Sequence, residues 1–153
     1  MGRFFDAASA LIGLRQVATY EGQAAIELEA ICDPAEEGLY AFEIADGVAD
    51  PAPLWQALIS DWRANLPLPI LSARFHNSVA RLALDLCQIV RAHSGVRTVA
   101  LSGGVWQNRV LLSKAIQLLR NAGFNVLIHR QVPTNDGGIA LGQAMIAART
   151  LYP

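Results

Sequence analysis

Two glycine pairs, Gly103-Gly104 and Gly137-Gly138, with Asn108 and Asp136 beside them, are the residues of this sequence whose types and spacing could do chemistry. Glycine lets a backbone approach a ligand closely, and N–H groups at the start of a helix are unsatisfied and lie at the positive end of its dipole. Such a turn can receive a phosphate or a carboxylate. Asp136 is the one carboxylate between Val99 and Gln143, able to hold a metal ion or a ribose hydroxyl. Tight-turn chemistry explains either pair taken singly, so the case for a site rests on both pairs serving one ligand. Neither GxxxxGK(S/T) nor GxGxxG occurs, which excludes a P-loop and a Rossmann dinucleotide turn.

Those residues need elements to hold them. Val99-Ala100-Leu101 reads as a short buried strand, and Asn108 to Ala122, apolar at 111, 115, 118 and 119, reads as a helix. Gly104 therefore falls where strand turns into helix, and Asn108 one turn into that helix would face a bound nucleotide. Gly123 supplies the helix stop. Phe124 to Ile128 predicts a second strand parallel to the first, and after the polar loop 130–136 the second glycine pair opens a last helix, Ile139 to Ala148. Strand, helix, strand, helix implies an α/β fold with a parallel sheet, whose ligands bind at the carboxyl ends of the strands. Both glycine pairs lie at those ends.

The remainder predicts helices over residues 2–13, with Phe4, Phe5, Ala8, Leu11 and Ile12 inward, over 23–32 and over 52–64, ended by Pro67 and Pro69. A strand over 39–44 precedes an Asp46-Gly47 turn. The longest helical signal runs from Ile70 to His93, with Leu71, Phe75, Val79, Leu82, Leu86, Ile89 and Val90 in one stripe and Gly95 as its stop. His76 on that helix has no second histidine at ligand spacing and reads as an ordinary core or surface residue. The tryptophans read as packing.

Hydrophobic residues make up 53% of the 153 and charged residues only 16%, below the usual charged share of about 25%. No apolar run is long enough to span a membrane, and no signal peptide is visible. Net charge −1 without a basic run excludes an electrostatic footprint for nucleic acid. Cys32 and Cys87 form no CxxC, which disfavours a disulfide framework or a cysteine zinc site, and a cytoplasmic location is expected. The apolar excess predicts either a sheet buried on both faces or a surface made for a partner. Self-association as a homodimer is one expectation that follows.

Taken together, LSGGVWQN, the helix after it and VPTNDGGIALGQA closely resemble the C-terminal end of the hydrogenase maturation carbamoyltransferases, the HypF family. That end belongs to the actin-like ATPase (ASKHA) superfamily and is related to the tRNA threonylcarbamoyl-transfer protein. ARFHNSVARLALDLC and MGRFFDAASALIGLRQVATYEGQAAIELEA resemble the same family; only residues 33–68 do so weakly. The resemblance implies that 1–153 is a single domain, the second lobe of an actin-like fold from a longer enzyme. It implies that Asp6 and Gly22, with Glu21 as a weaker neighbour, hold the adenosine ribose, alongside Gly103, Gly104, Asn108, Asp136 and Gly137 for the nucleotide.

The family reaction is transfer of carbamoyl from carbamoyl-adenylate, made with ATP, to the C-terminal cysteine of the partner HypE, releasing AMP. The resulting thiocarbamate is later dehydrated to supply cyanide for the nickel-iron hydrogenase centre. Asp136 would hold a divalent metal (zinc, iron or magnesium) with histidines from the missing N-terminal lobe, a cluster that His76, His93 and His129 do not reproduce. No catalytic nucleophile is implied in this lobe, so the isolated chain is expected to be inactive. The alternatives are a non-catalytic nucleotide-binding or interaction lobe, and another actin-like threonylcarbamoyl- or phosphotransferase. DGGIALGQ speaks against the last.

Overall fold

The computed structural model describes residues 1–151. The longest element, α4 (Leu68–Ser94), carries the core. From Leu71 to Ala80 every residue except Arg74 is buried, so this half is covered all round, as a central helix must be. Against it pack α1 (Gly2–Leu11), α2 (Gln23–Ala30), α3 (Ala52–Arg63) and α5 (Arg109–Asn121). Their shared cluster includes Phe5, Leu28, Leu54, Phe75 and Leu111. Fully burying such side chains is worth about 1.5–3 kcal/mol each. Aromatic edges lock the α1–α4 contact: the Phe5 and Phe75 rings meet at 5.1 Å and 87°.

Periodicity located α4 correctly but not its burial. Leu84, not Leu86, joins the core at its second half, and Val90 is exposed. Pro69 does not end α3; it lies in the first turn of α4, where its missing N–H costs nothing. Leu39 to Phe42 forms no strand, and the ladder starts later, as the hairpin β1 (Glu43–Ala45) and β2 (Val48–Asp50) around Asp46-Gly47. Polar groups of α4 explain why. Ser78 Oγ accepts Tyr40 N–H at 2.7 Å, and Asn77 Nδ2 donates to the carbonyls of Glu36 and Gly38 at 3.0 and 2.8 Å. Arg74 pairs with Glu36 and Asp61. Tyr40 N–H and the carbonyls of Glu36 and Gly38 are thus satisfied by side chains of α4 rather than by a strand.

The parallel pair β3 (Thr98–Leu101) and β4 (Asn125–Ile128) is in register Val99↔Val126, as expected of strands joined by the α5 crossover. Its inner face, Val99, Leu101, Val126 and Ile128, packs with Leu84 and Leu119. Its outer face is bare, with Leu127 51% exposed. The expectation of a sheet buried on both faces is therefore corrected: these two strands are covered on one side. The last helix, α6 (Ile139–Leu151), buries no residue at all. No helix among the described residues is long and apolar enough to cross a membrane.

Candidate functional site

Gly103 builds the loop after β3. Its backbone, at φ 104 and ψ 159, occupies a region essentially closed to other residues, and from it the chain enters a 3-10 turn, Gly104–Gln107. Gly103 N–H donates to Thr134 O at 2.8 Å, and Thr134 Oγ1 donates back to Gly103 O at 3.2 Å. The second loop folds as tightly. A Cβ on Gly138 would lie 2.7 Å from Pro133 O, and Asn135 takes Gly137 N–H on its side chain and Gly138 N–H on its carbonyl, at 3.1 and 2.9 Å. The two glycine loops, expected to share a ligand, thus form one surface at the carboxyl ends of β3 and β4.

Of the two donors expected on that surface, Gly104 N–H is free, whereas Gly103 N–H is already spent on Thr134 O. The first N–H groups of α5 are all satisfied from within the chain. Arg109 and Val110 donate to Glu29 Oε1 at 2.6 and 3.1 Å, Leu111 to Asn108 Oδ1 at 2.8 Å, and Leu112 to Asn108 O at 2.9 Å. Asn108 is therefore the N-cap of α5 rather than a residue one turn inside it. A carboxylate from α2 already sits where an anion was expected. The N–H groups of Gly104 and Val105, one turn earlier, donate to no acceptor among the described residues. They can receive phosphate oxygens.

Asn108 is in turn fastened to α4. Its Nδ2 lies 2.9 Å from His76 Nε2, while His76 Nδ1 lies 2.8 Å from Ser72 O. His76 is fully buried, and burial pushes its pKa below the ordinary imidazole value, against the opposing effect of the Ser72 carbonyl. At the strand ends His129 Nε2 lies 3.0 Å from Ser102 Oγ. Asp136 opens the 3-10 turn Asp136–Gly138, exposed, with no hydrogen bond or ion pair to its carboxylate among the described residues. The described residues contain no group of three His, Cys, Asp or Glu that could hold a metal.

Asp6 and Gly22 are carried by α1 and by the start of α2. Gly22 is the left-handed N-cap of α2 at φ 79, beside a chain of bonds in which Gln23 and Arg15 both reach Glu27. Asp6, half-buried on α1, makes no hydrogen bond among the described residues. Among the described residues no hydrogen bond joins either to the glycine loops; α2 meets α5 through Glu29, at the opposite end of α2 from Gly22. Two clefts of about 270 and 310 Å3 open beside Tyr40 and beside Cys32, and neither includes a glycine loop. The glycine-loop face is open.

Thr134, Glu29 and the Ser102–His129 pair escaped the sequence reading. Their partners are 31, 80 and 27 positions away, beyond any local pattern. His76 reads from the sequence as an isolated histidine, because its partners are a backbone carbonyl that any residue at 72 would supply and an asparagine 32 positions away.

Residues 1–143 match the family described as "Carbamoyltransferase, Kae1-like Domain, second subdomain". The chain is 40% identical to carbamoyltransferase HypF of Synechocystis sp. over 97% of its own length, and 39% identical to that of Rhizobium leguminosarum bv. viciae over 99%. It spans about 20% of the length of each of these relatives. Over its whole length it superposes on a crystal structure of full-length HypF in the phosphate- and nucleotide-bound form, with TM-score 0.94 and 42% identity, covering 21% of that chain.

Proposed function

This chain belongs to the HypF carbamoyltransferase family, and we propose that it is the nucleotide-binding second lobe of an enzyme that moves carbamoyl from carbamoyl-adenylate to the C-terminal cysteine of HypE. The observation that carries the proposal is the pairing of the two glycine loops through Gly103 and Thr134, which ties the loop carrying the free N–H groups to the loop that leads into Asp136. The solved relative with phosphate and nucleotide bound supports it.

In the transfer, the HypE thiolate attacks the carbamoyl carbon, the carbon–sulfur bond forms, and the bond from that carbon to the adenylate phosphate oxygen breaks. Negative charge grows on the departing AMP phosphate. N–H groups of Gly104 and Val105 stabilise it without reorganising, because the loop is already fixed by Gly103 and the Gly138–Pro133 contact. Asn108 would contact the nucleotide from beside this turn, with Gly137 lining the opposite loop and Asp6 and Gly22 approaching the ribose. The Asp136 carboxylate has its oxygens free and fits as one ligand of a divalent ion whose other ligands come from the preceding lobe. Such an ion would supply Lewis-acid stabilisation of the same charge.

Titration of the chain with AMP tests the site. Amide shifts should move at residues 103–108 and 134–138 with an affinity on the order of millimolar, near 4 kcal/mol, because one wall of the site is supplied from outside this chain. Shifts confined to residues 34–65 would place the site wrongly. With HypE, carbamoyl phosphate and ATP, the chain alone should release no AMP; turnover would overturn the half-site reading.

A further inference from the structure

Two backbone groups decide how His76 and Asn108 are protonated and oriented. The Ser72 carbonyl, 2.8 Å from His76 Nδ1, can only accept, so the ring proton is on Nδ1 and Nε2 carries a lone pair. The Leu111 N–H, 2.8 Å from the Asn108 side chain, can only donate, so that atom is Oδ1 and the amide nitrogen faces the histidine. Nδ2–H of Asn108 therefore donates to His76 Nε2 at 2.9 Å. The ring cannot turn away: it is fully buried, with the Phe5 ring at 5.1 Å. Ser72 is anchored in turn, because its Oγ donates to the Leu28 carbonyl of α2.

We propose that His76 is a positioning residue for the nucleotide face: acting through Asn108, it fixes the carboxamide so that the second Nδ2 hydrogen is presented outward to an acceptor oxygen of the ligand, a phosphate or ribose oxygen. The inference rests on the reading of Asn108 as a nucleotide residue. Asn108 is only partly buried, so this hydrogen is available, whereas Oδ1 is committed to capping α5. Without an acceptor at Nε2 the amide is held only through Oδ1 and rotates about it.

Two substitutions separate acceptor from packing. His76→Gln keeps an acceptor where Nε2 stands; His76→Asn keeps a donor to Ser72 O but offers nothing to Asn108. Nitrogen NMR of the chain should show His76 neutral with the proton on Nδ1, the less favoured tautomer of free imidazole. One Asn108 side-chain amide proton should be protected from exchange in the wild type and in His76→Gln, and unprotected in His76→Asn. AMP affinity should fall about five- to tenfold in His76→Asn and stay within twofold in His76→Gln. A proton on Nε2 in the wild type, or equal behaviour of the two variants, overturns the proposal. No AMP response in the wild type overturns the nucleotide reading alone, and the tautomer with the Asn108 amide signal then decides the positioning. If His76→Asn does not fold, the wild-type tautomer decides it.

Discussion

Gly103 and Gly104 are adjacent, yet their backbones ask different things of a side chain. Gly103 is at φ 104, whereas Gly104 needs no left-handed conformation and would bring a Cβ no closer than 3.9 Å to Asn135. Gly103→Ala should cost about 1–2 kcal/mol and loosen the tie to Thr134, whereas Gly104→Ala should melt as the wild type does; equal thermal melts would refute the difference. His76 adds a pH dependence with a definite sign. Its folded-state pKa lies below the unfolded one, so the unfolded chain binds more protons in the window between them and stability rises with pH there. The contribution is complete above about pH 6.5 and is lost as pH falls toward the folded value, with a slope of at most about 1.4 kcal/mol per pH unit. Glu29 on α2 opposes this shift and Lys114 on α5 adds to it. His76→Gln should flatten the dependence of the melting temperature on pH as pH falls below about 6.5; an unchanged profile would show that another group titrates.

Among the elements, α5 is where local and tertiary forces meet. Its N-cap is local, Asn108 to Leu111, but its two preceding N–H groups wait on Glu29 from 80 residues away. Glu29→Ala should destabilise by about 1–2 kcal/mol. Glu29→Gln should lose only the charge–dipole part, about 0.3–1 kcal/mol. Urea melts measure both, and a neutral Glu29→Ala would show that water replaces the carboxylate. Because Glu29 occupies the helix N-terminus, the N–H groups left free lie one turn back, at Gly104 and Val105, and α5 braces that turn.

For the molecule as a whole, the apolar excess of the composition is not consumed internally. Ile139, Leu141, Met145, Ile146 and Leu151 of α6 are each about half exposed or more, and Leu127 stands on the uncovered side of β4. Apolar patches beyond a few hundred Å2 are uncommon on monomers. In the longer relatives, of which this chain spans about a fifth, further sequence is available to cover this face. Alone, the chain should self-associate, and a symmetric dimer is the simplest closed outcome. Burial drives such association, so salt should not reverse it. A single 16.5 kDa species in sedimentation velocity at micromolar concentration, at low and at high salt, would defeat the expectation. Ile146→Glu should weaken association without lowering the melting temperature, because α6 buries nothing within the chain.

The sequence by itself determined the order and type of the helices, the parallel pair β3 and β4, and the placement of both glycine pairs at the strand ends, because these follow from periodicity and turn chemistry over a few residues. The resemblance carried by SGGVWQN and NDGGIALGQ identified the family, which the comparisons bear out. Only tertiary structure decided which donors remain free. Whether an N–H is free or taken depends on what else reaches it, and Glu29 and Thr134 arrive from other elements. It likewise decided that α4 is buried all round from Leu71 to Ala80 while α6, no less apolar, is bare. Hydrophobicity states how much surface should be buried; what is near enough to bury it is a property of the assembled fold.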